Sequence, residues 1–187
     1  MKSEHHTIVA LVEDRPGVLN KMASKWRQRG FNIESLAVGH SEIPGLSRMT
    51  FVVDAATTDI EQVVKQVDKL VDVVHIEDIT DESMVSRELA LIKVRCTAQT
   101  RSEILQVVDI FRANIVDVTH ESLIVEAVGD EEKLDSLLKL LEEYGIIELC
   151  RTGRIAMSRG PTKVGPPEEL HVLLPDLQGG RAPGGLY

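Results

Sequence analysis

One order of elements occurs twice along this chain of 187 residues: strand, helix, strand, strand, helix, strand. Thr7-Ile8-Val9-Ala10-Leu11-Val12 is a β-branched apolar run that stops at Glu13-Asp14-Arg15-Pro16-Gly17. Val18, Leu19, Met22, Ala23 and Trp26 then recur at helical spacing, with Pro16 ahead of them and Gly30 just beyond their end. Two strand candidates follow, Asn32–Val38 and Arg48–Val53, around the turn-forming stretch His40–Gly45. Thr58-Asp59-Ile60-Glu61 has the form of a capping box, opening a helix whose apolar face is Ile60, Val63, Val64, Val67 and Leu70. Val73–Ile79 closes the first unit. Four strands and two helices in this order predict an antiparallel sheet with both helices on one face, the ferredoxin-like βαββαβ arrangement.

The second round begins after Asp81-Glu82-Ser83. Arg87–Cys96 reads as a strand, and Thr100-Arg101-Ser102-Glu103 as a second capping box before Ile104, Leu105, Val108 and Phe111. Asn114–Val118 and Ser122–Val128 are strands, Asp130–Tyr144 is a helix, and Ile146–Met157 contains the last strand. The fold class expected is therefore α+β, with two tandem ferredoxin-like domains at 1–80 and 81–160. From residue 158 on, the chain holds five of the seven prolines and six of the thirteen glycines, so 161–187 reads as a disordered tail.

Composition removes several function classes. Asp and Glu outnumber Lys and Arg 30 to 21, a net charge of −9, and only 3% of residues are aromatic. A nucleic-acid surface needs clustered cations or stacking platforms, and this chain has few of either. No apolar run approaches a membrane span and the start shows no leader pattern, so a cytoplasmic location is expected. Cys96 and Cys150 both lie in apolar strands and read as reduced, buried thiols. The six histidines show no metal-ligand spacing, and neither a phosphate loop nor a dinucleotide fingerprint is present. Gly129-Asp130-Glu131 lacks the second Gly of the Gly-Asp-Gly found in thiamine-diphosphate enzymes and reads as a helix start. No catalytic or metal residue is expected.

The segment Glu13–Leu19 carries the most chemical information. It joins a strand end to a helix start, where free backbone N–H groups and a partial positive charge can hold a small carboxylate. Gly17 permits close approach of a ligand, and Asp14 can accept an ammonium group or cap the helix. A zwitterionic amino acid suits that pattern. On the residues alone, an ordinary helix-starting turn is the more common explanation of such a segment.

Val12-Glu13-Asp14-Arg15-Pro16-Gly17-Val18-Leu19, Arg29-Gly30-Phe31-Asn32-Ile33-Glu34-Ser35-Leu36 and Leu46-Ser47-Arg48-Met49-Thr50 together strongly resemble the ACT domain of acetolactate synthase small subunits, also called acetohydroxyacid synthase regulatory subunits. Lys69–Val73, Phe111–Val118, Gly153 and Ser158-Arg159-Gly160 extend the likeness over about residues 5–160. The resemblance implies a non-catalytic subunit of a transferase complex. Its large catalytic partner would bind thiamine diphosphate, Mg²⁺ and FAD and make acetolactate for branched-chain amino-acid biosynthesis. This chain would activate that partner and confer feedback inhibition, with valine as the expected effector. The effector would sit between the ACT domains of a homodimer, held by Asp14, Gly17, Val18 and Leu19 of one chain and Asn32 and Ile33 of the other. Many members of that family carry Asn where Asp14 stands, so an extra negative charge is implied beside the loop. Leu89, Leu91 and Arg95 are candidates for docking on the large subunit.

Two other classes compete. A free-standing tandem-ACT amino-acid sensor would need no synthase partner. A small enzyme on the same scaffold, such as an acylphosphatase, would need an Arg and Asn constellation beside a phosphate-cradling loop, which is missing.

Overall fold

The structure is a computed structural model that describes residues 5–54 and 60–161. These residues form two compact units, one running to Met84 and taking in Met157 onward, the other spanning Val85–Ala156.

In the first unit the elements are β1 (His5–Glu13), α1 (Val18–Gln28), β2 (Asn32–His40), β3 (Leu46–Asp54), α2 (Ile60–Val67) and β4 (Val73–Asp78). The strand order is β2-β3-β1-β4, antiparallel throughout, as the ferredoxin-like reading requires. Ile8, Ala10 and Val12 of β1 face α1 and α2 and share a core with Val18, Met22, Trp26, Val63 and Val67. The opposite side of the central strands is buried too: Thr7, Val9, Thr50 and Val52 are all under 5% exposed. Burial on both faces explains why β1 reads as a continuous apolar run rather than an alternating one.

Helix α1 stops where its sequence says it should. Gly30 takes the left-handed conformation (φ 78°), its N–H donates to the Arg27 carbonyl, and the Phe31 N–H donates to that of Trp26. These are the paired bonds of a Schellman motif. The apolar contact that accompanies it is the Phe31 ring set edge-on against Trp26, with centroids 6.0 Å apart.

The second unit repeats the plan with β5 (Met84–Arg95), α3 (Arg101–Ile110), β6 (Asn114–Val118), β7 (Ser122–Gly129), α4 (Glu131–Leu141) and β8 (Ile146–Arg151). The strand order is β6-β7-β5-β8. Its core gathers Ala90, Ile92, Val94, Ile104, Val108, Leu123, Val125, Leu134 and Leu137. Asp130 caps α4, its carboxylate accepting from the Lys133 N–H at 2.9 Å, which is the helix-start role expected of Gly129-Asp130-Glu131.

Three local expectations need correction. Thr100 does stand at the head of α3, but its hydroxyl caps no N–H of that helix. The reciprocal bonds join Thr97 and Thr100, each hydroxyl accepting from the other's N–H at 3.2 and 3.0 Å. The last segment is two strands, not one. Gly153 (φ 82°) breaks it after β8, and a further strand, β9 (Ile155–Ser158), also pairs with the twelve-residue β5. Cys96 is buried as expected, but Cys150 is exposed, because it lies on an edge strand opposite Leu91, on the face away from the helices. Thr58, Asp59 and residues 162–187 lie outside the described residues.

Candidate functional site

The loop after β1 is held by main-chain bonds before it reaches α1. The Glu13 N–H donates to the Asp72 carbonyl, that of Asp14 to Gly45, and that of Arg15 back to Glu13, each at 2.9 Å. Gly17 then turns with φ 89°, a conformation strained for residues with a side chain. A Cβ built there would meet nothing within 4 Å, so the turn leaves open space above the helix start. No side chain caps α1. Within the described residues the N–H groups of Gly17, Leu19 and Asn20 find no protein acceptor.

The corresponding loop of the second unit carries side-chain bonds of its own. Thr97 and Thr100 cap each other there, and the Arg101 guanidinium donates to the Thr119 and His120 carbonyls at 2.8 and 3.2 Å. Two loops in the same place in the fold therefore differ in one respect. The first has no side-chain bond at its turn and opens at Gly17; the second has Thr97 and Thr100 bonded to each other. Helix α3 too has no side-chain cap, and its Ser102 and Glu103 N–H groups find no acceptor among the described residues. Free donors at the positive end of a helix attract an anion such as a carboxylate.

Asp14, Gly17 and Leu19 are exposed around this opening, Leu19 by 38%. Val18 is not: its side chain is 2% exposed within the core, so only its backbone faces the loop. The Asp14 carboxylate lies 3.4 Å from His40 Nδ1. Asn32 and Ile33 are elsewhere. Asn32 opens β2 opposite Asp54, whereas the loop follows Glu13, which pairs with Leu46 at the other end of the same sheet. Nine residues of β2 put those two ends roughly 26 Å apart. The six expected residues thus fall into two separate groups at opposite ends of the sheet.

Contacts around the loop include residues that the motifs did not single out: His40, Gly45, Lys21 and Asp72. Lys21 Nζ donates to Asp72 Oδ2 at 2.5 Å. That hydrogen bond holds the Asp72 carboxyl below its ordinary value, against burial, and the charges of Lys21 and Arg15 add to it. Asp72 falls within the Lys69–Val73 likeness, which was the available signal. In the second unit Leu89, Leu91 and Arg95 share the face of β5 that points away from the buried Ala90, Ile92 and Val94. Among the described residues no group of His, Cys, Asp and Glu is gathered as a metal site, and no helix is long and apolar enough to cross a membrane.

Residues 8–75 match a family model described as the AHAS small subunit-like ACT domain, and residues 87–160 one described as the small subunit of acetolactate synthase. A putative acetolactate synthase small subunit of Mycobacterium tuberculosis H37Rv is 51% identical over 165 residues, covering 88% of this chain and 98% of that one. The chain belongs to the acetolactate synthase small subunit family. A probable acetolactate synthase small subunit of Archaeoglobus fulgidus is likewise 51% identical, over 84% of this chain and 99% of its own length. The crystal structure of the acetolactate synthase small subunit from Thermotoga maritima is 41% identical, with a TM-score of 0.76 over 85% of this chain and 99% of that one. Membership of the acetolactate synthase small subunit family, with its ACT domain, accords with a regulatory, non-catalytic role.

Proposed function

We propose that this chain is a cytoplasmic regulatory subunit that activates the large catalytic subunit of acetolactate synthase and makes it responsive to a branched-chain amino acid, valine first. In this reading residues 1–80 form the effector-binding domain and 81–160 dock on the large subunit through the face bearing Leu89, Leu91 and Arg95. Thiamine diphosphate, Mg²⁺ and FAD belong to that partner, which performs the chemistry.

The observation that carries the reading is the uncapped start of α1 beside Gly17, where the turn leaves open space next to N–H groups that no acceptor among the described residues occupies. The free N–H groups suit the effector carboxylate, and Asp14 suits its ammonium group. Leu19 and Ile33 offer apolar surface to a branched side chain.

Strand order supports a site shared by two copies. β2 is an edge strand of its sheet, and edges invite pairing with another chain. Two copies of β2 related by a twofold axis run antiparallel, which sets the Asn32 end of one against the His40 end of the other. The His40 end is where Asp14 and Gly17 lie. Such a homodimer brings each loop beside the partner's Asn32 and Ile33, twice over.

Adding the full chain to a purified large subunit is expected to raise turnover severalfold, and valine is expected to reverse the gain. Unchanged turnover at saturating chain, with no response to valine, would sink the proposal. A protein that binds valine yet leaves the synthase untouched would instead favour the free-standing sensor.

A further inference from the structure

We infer that Asp72 is a positioning residue that holds both ends of the effector loop through its carbonyl and its carboxylate. The inference rests on the effector reading of that loop. At the near end, the Asp72 carbonyl accepts the Glu13 N–H at 2.9 Å. At the far end, the Asp72 carboxylate accepts from Lys21 Nζ at 2.5 Å, and the Lys21 N–H in turn donates to the Gly17 carbonyl at 3.0 Å. The loop from Glu13 to Gly17 is thus closed into a ring by one residue fifty-one positions from Lys21.

The surroundings fit that role. Asp72 is 8% exposed and sits just before β4, where the β1–β4 pairing shifts register between Leu11 and Val12. Lys21, by contrast, is half-exposed. The Arg15 guanidinium, within the loop, pairs with the Glu13 carboxylate, and its charge also acts on Asp72. The bonds from Asp14 to Gly45 and from Arg15 to Glu13 are main chain to main chain and survive side-chain substitution. Of the side-chain contacts, Arg15–Glu13 lies within the loop and His40–Asp14 is exposed, so Lys21–Asp72 is the one that ties the loop to the strand start beyond it. A loop fixed before its ligand arrives loses less entropy on binding, so loosening it weakens affinity without removing a ligand contact.

The test is calorimetric titration of L-valine into the full chain, with Asp72→Asn, Lys21→Met and the double variant beside the wild type. Each single change is expected to weaken valine binding roughly tenfold, and the double change by no more than either alone, since all three open one clamp. The Gly17 amide resonance should shift in all three variants, a response that general destabilisation would not confine to the loop. Lys21→Met keeps the test alive if Asp72→Asn does not fold, because Lys21 is half-exposed. Equal valine affinity in wild type and variants overturns the positioning role, as does an additive loss in the double variant. A wild-type chain that binds no valine overturns the effector reading itself, and this inference with it.

Discussion

Gly17→Asp is expected to abolish valine binding and with it the feedback response, while the first unit stays folded. The substitution sets a carboxylate where the free N–H groups at the start of α1 converge, so the effector carboxylate meets a like charge. Space is not the obstacle, since nothing lies within 4 Å of a Cβ at this position. The left-handed backbone adds a strain of about 1 kcal/mol, which Asp tolerates better than most residues. Gly17→Ala separates the two causes: it carries the strain without the charge and is expected to melt slightly lower yet bind valine within a few-fold of wild type. Calorimetry on both variants, with melting curves, decides the matter. Equal losses in Ala and Asp would mean that backbone geometry, and not charge, governs the site.

The second large effect concerns stability. Glu88 is 6% exposed on β5, and Arg151 at the end of β8 donates to its carboxylate through Nε at 2.9 Å and Nη2 at 2.5 Å. Arg151 also donates to Asp135 of α4 at 2.8 Å, so one guanidinium ties together a central strand, an edge strand and a helix. Burial opposes its charge, but the bonds to Glu88 and Asp135 outweigh burial and keep the guanidinium above its ordinary range. Arg151→Met leaves a buried carboxylate without a partner and is expected to cost about 3 kcal/mol. In a chain of this size that lowers Tm by roughly 10 °C. Replacing both partners, Glu88→Leu with Arg151→Met, removes the stranded charge and is expected to recover most of the loss. A single variant that melts within a degree or two of wild type would show that Glu88 is served by solvent instead.

The two units were legible because their cores are written in period: Val18, Met22 and Trp26 repeat at helical spacing, and Ala90, Ile92 and Val94 alternate along β5. Local punctuation was legible where one residue type suffices, as with Gly30 after α1 and Asp130 before α4. It misled at Thr100. That residue stands before α3 as the sequence suggests, yet its hydroxyl bonds back to Thr97 instead of to the helix, which only the backbone course shows. The candidate site divides along the same line. Asp14, Gly17 and Leu19 fall within six residues and stand out as a motif, whereas Asp72 meets Lys21 across fifty-one residues, and Arg151 meets Glu88 across sixty-three. No local pattern encodes such pairs; the fold creates them. Val18 carried the motif into the site by adjacency alone, since its side chain belongs to the core.

The separation of Asn32 from the Asp14 loop makes the strongest demand on the proposal, because an effector held by both groups would have to be held by two copies of the chain. Mixing tests this. The Gly17→Asp chain and an Asn32→Ala chain, each weak for valine as a homodimer, are unfolded together and refolded at equal ratio. Half of the resulting dimers are mixed, and each mixed dimer has one intact site and one doubly altered site. Calorimetry is expected to recover about a quarter of the wild-type number of valine sites, at wild-type affinity. A mixture that binds no more valine than its parents would contradict the shared site.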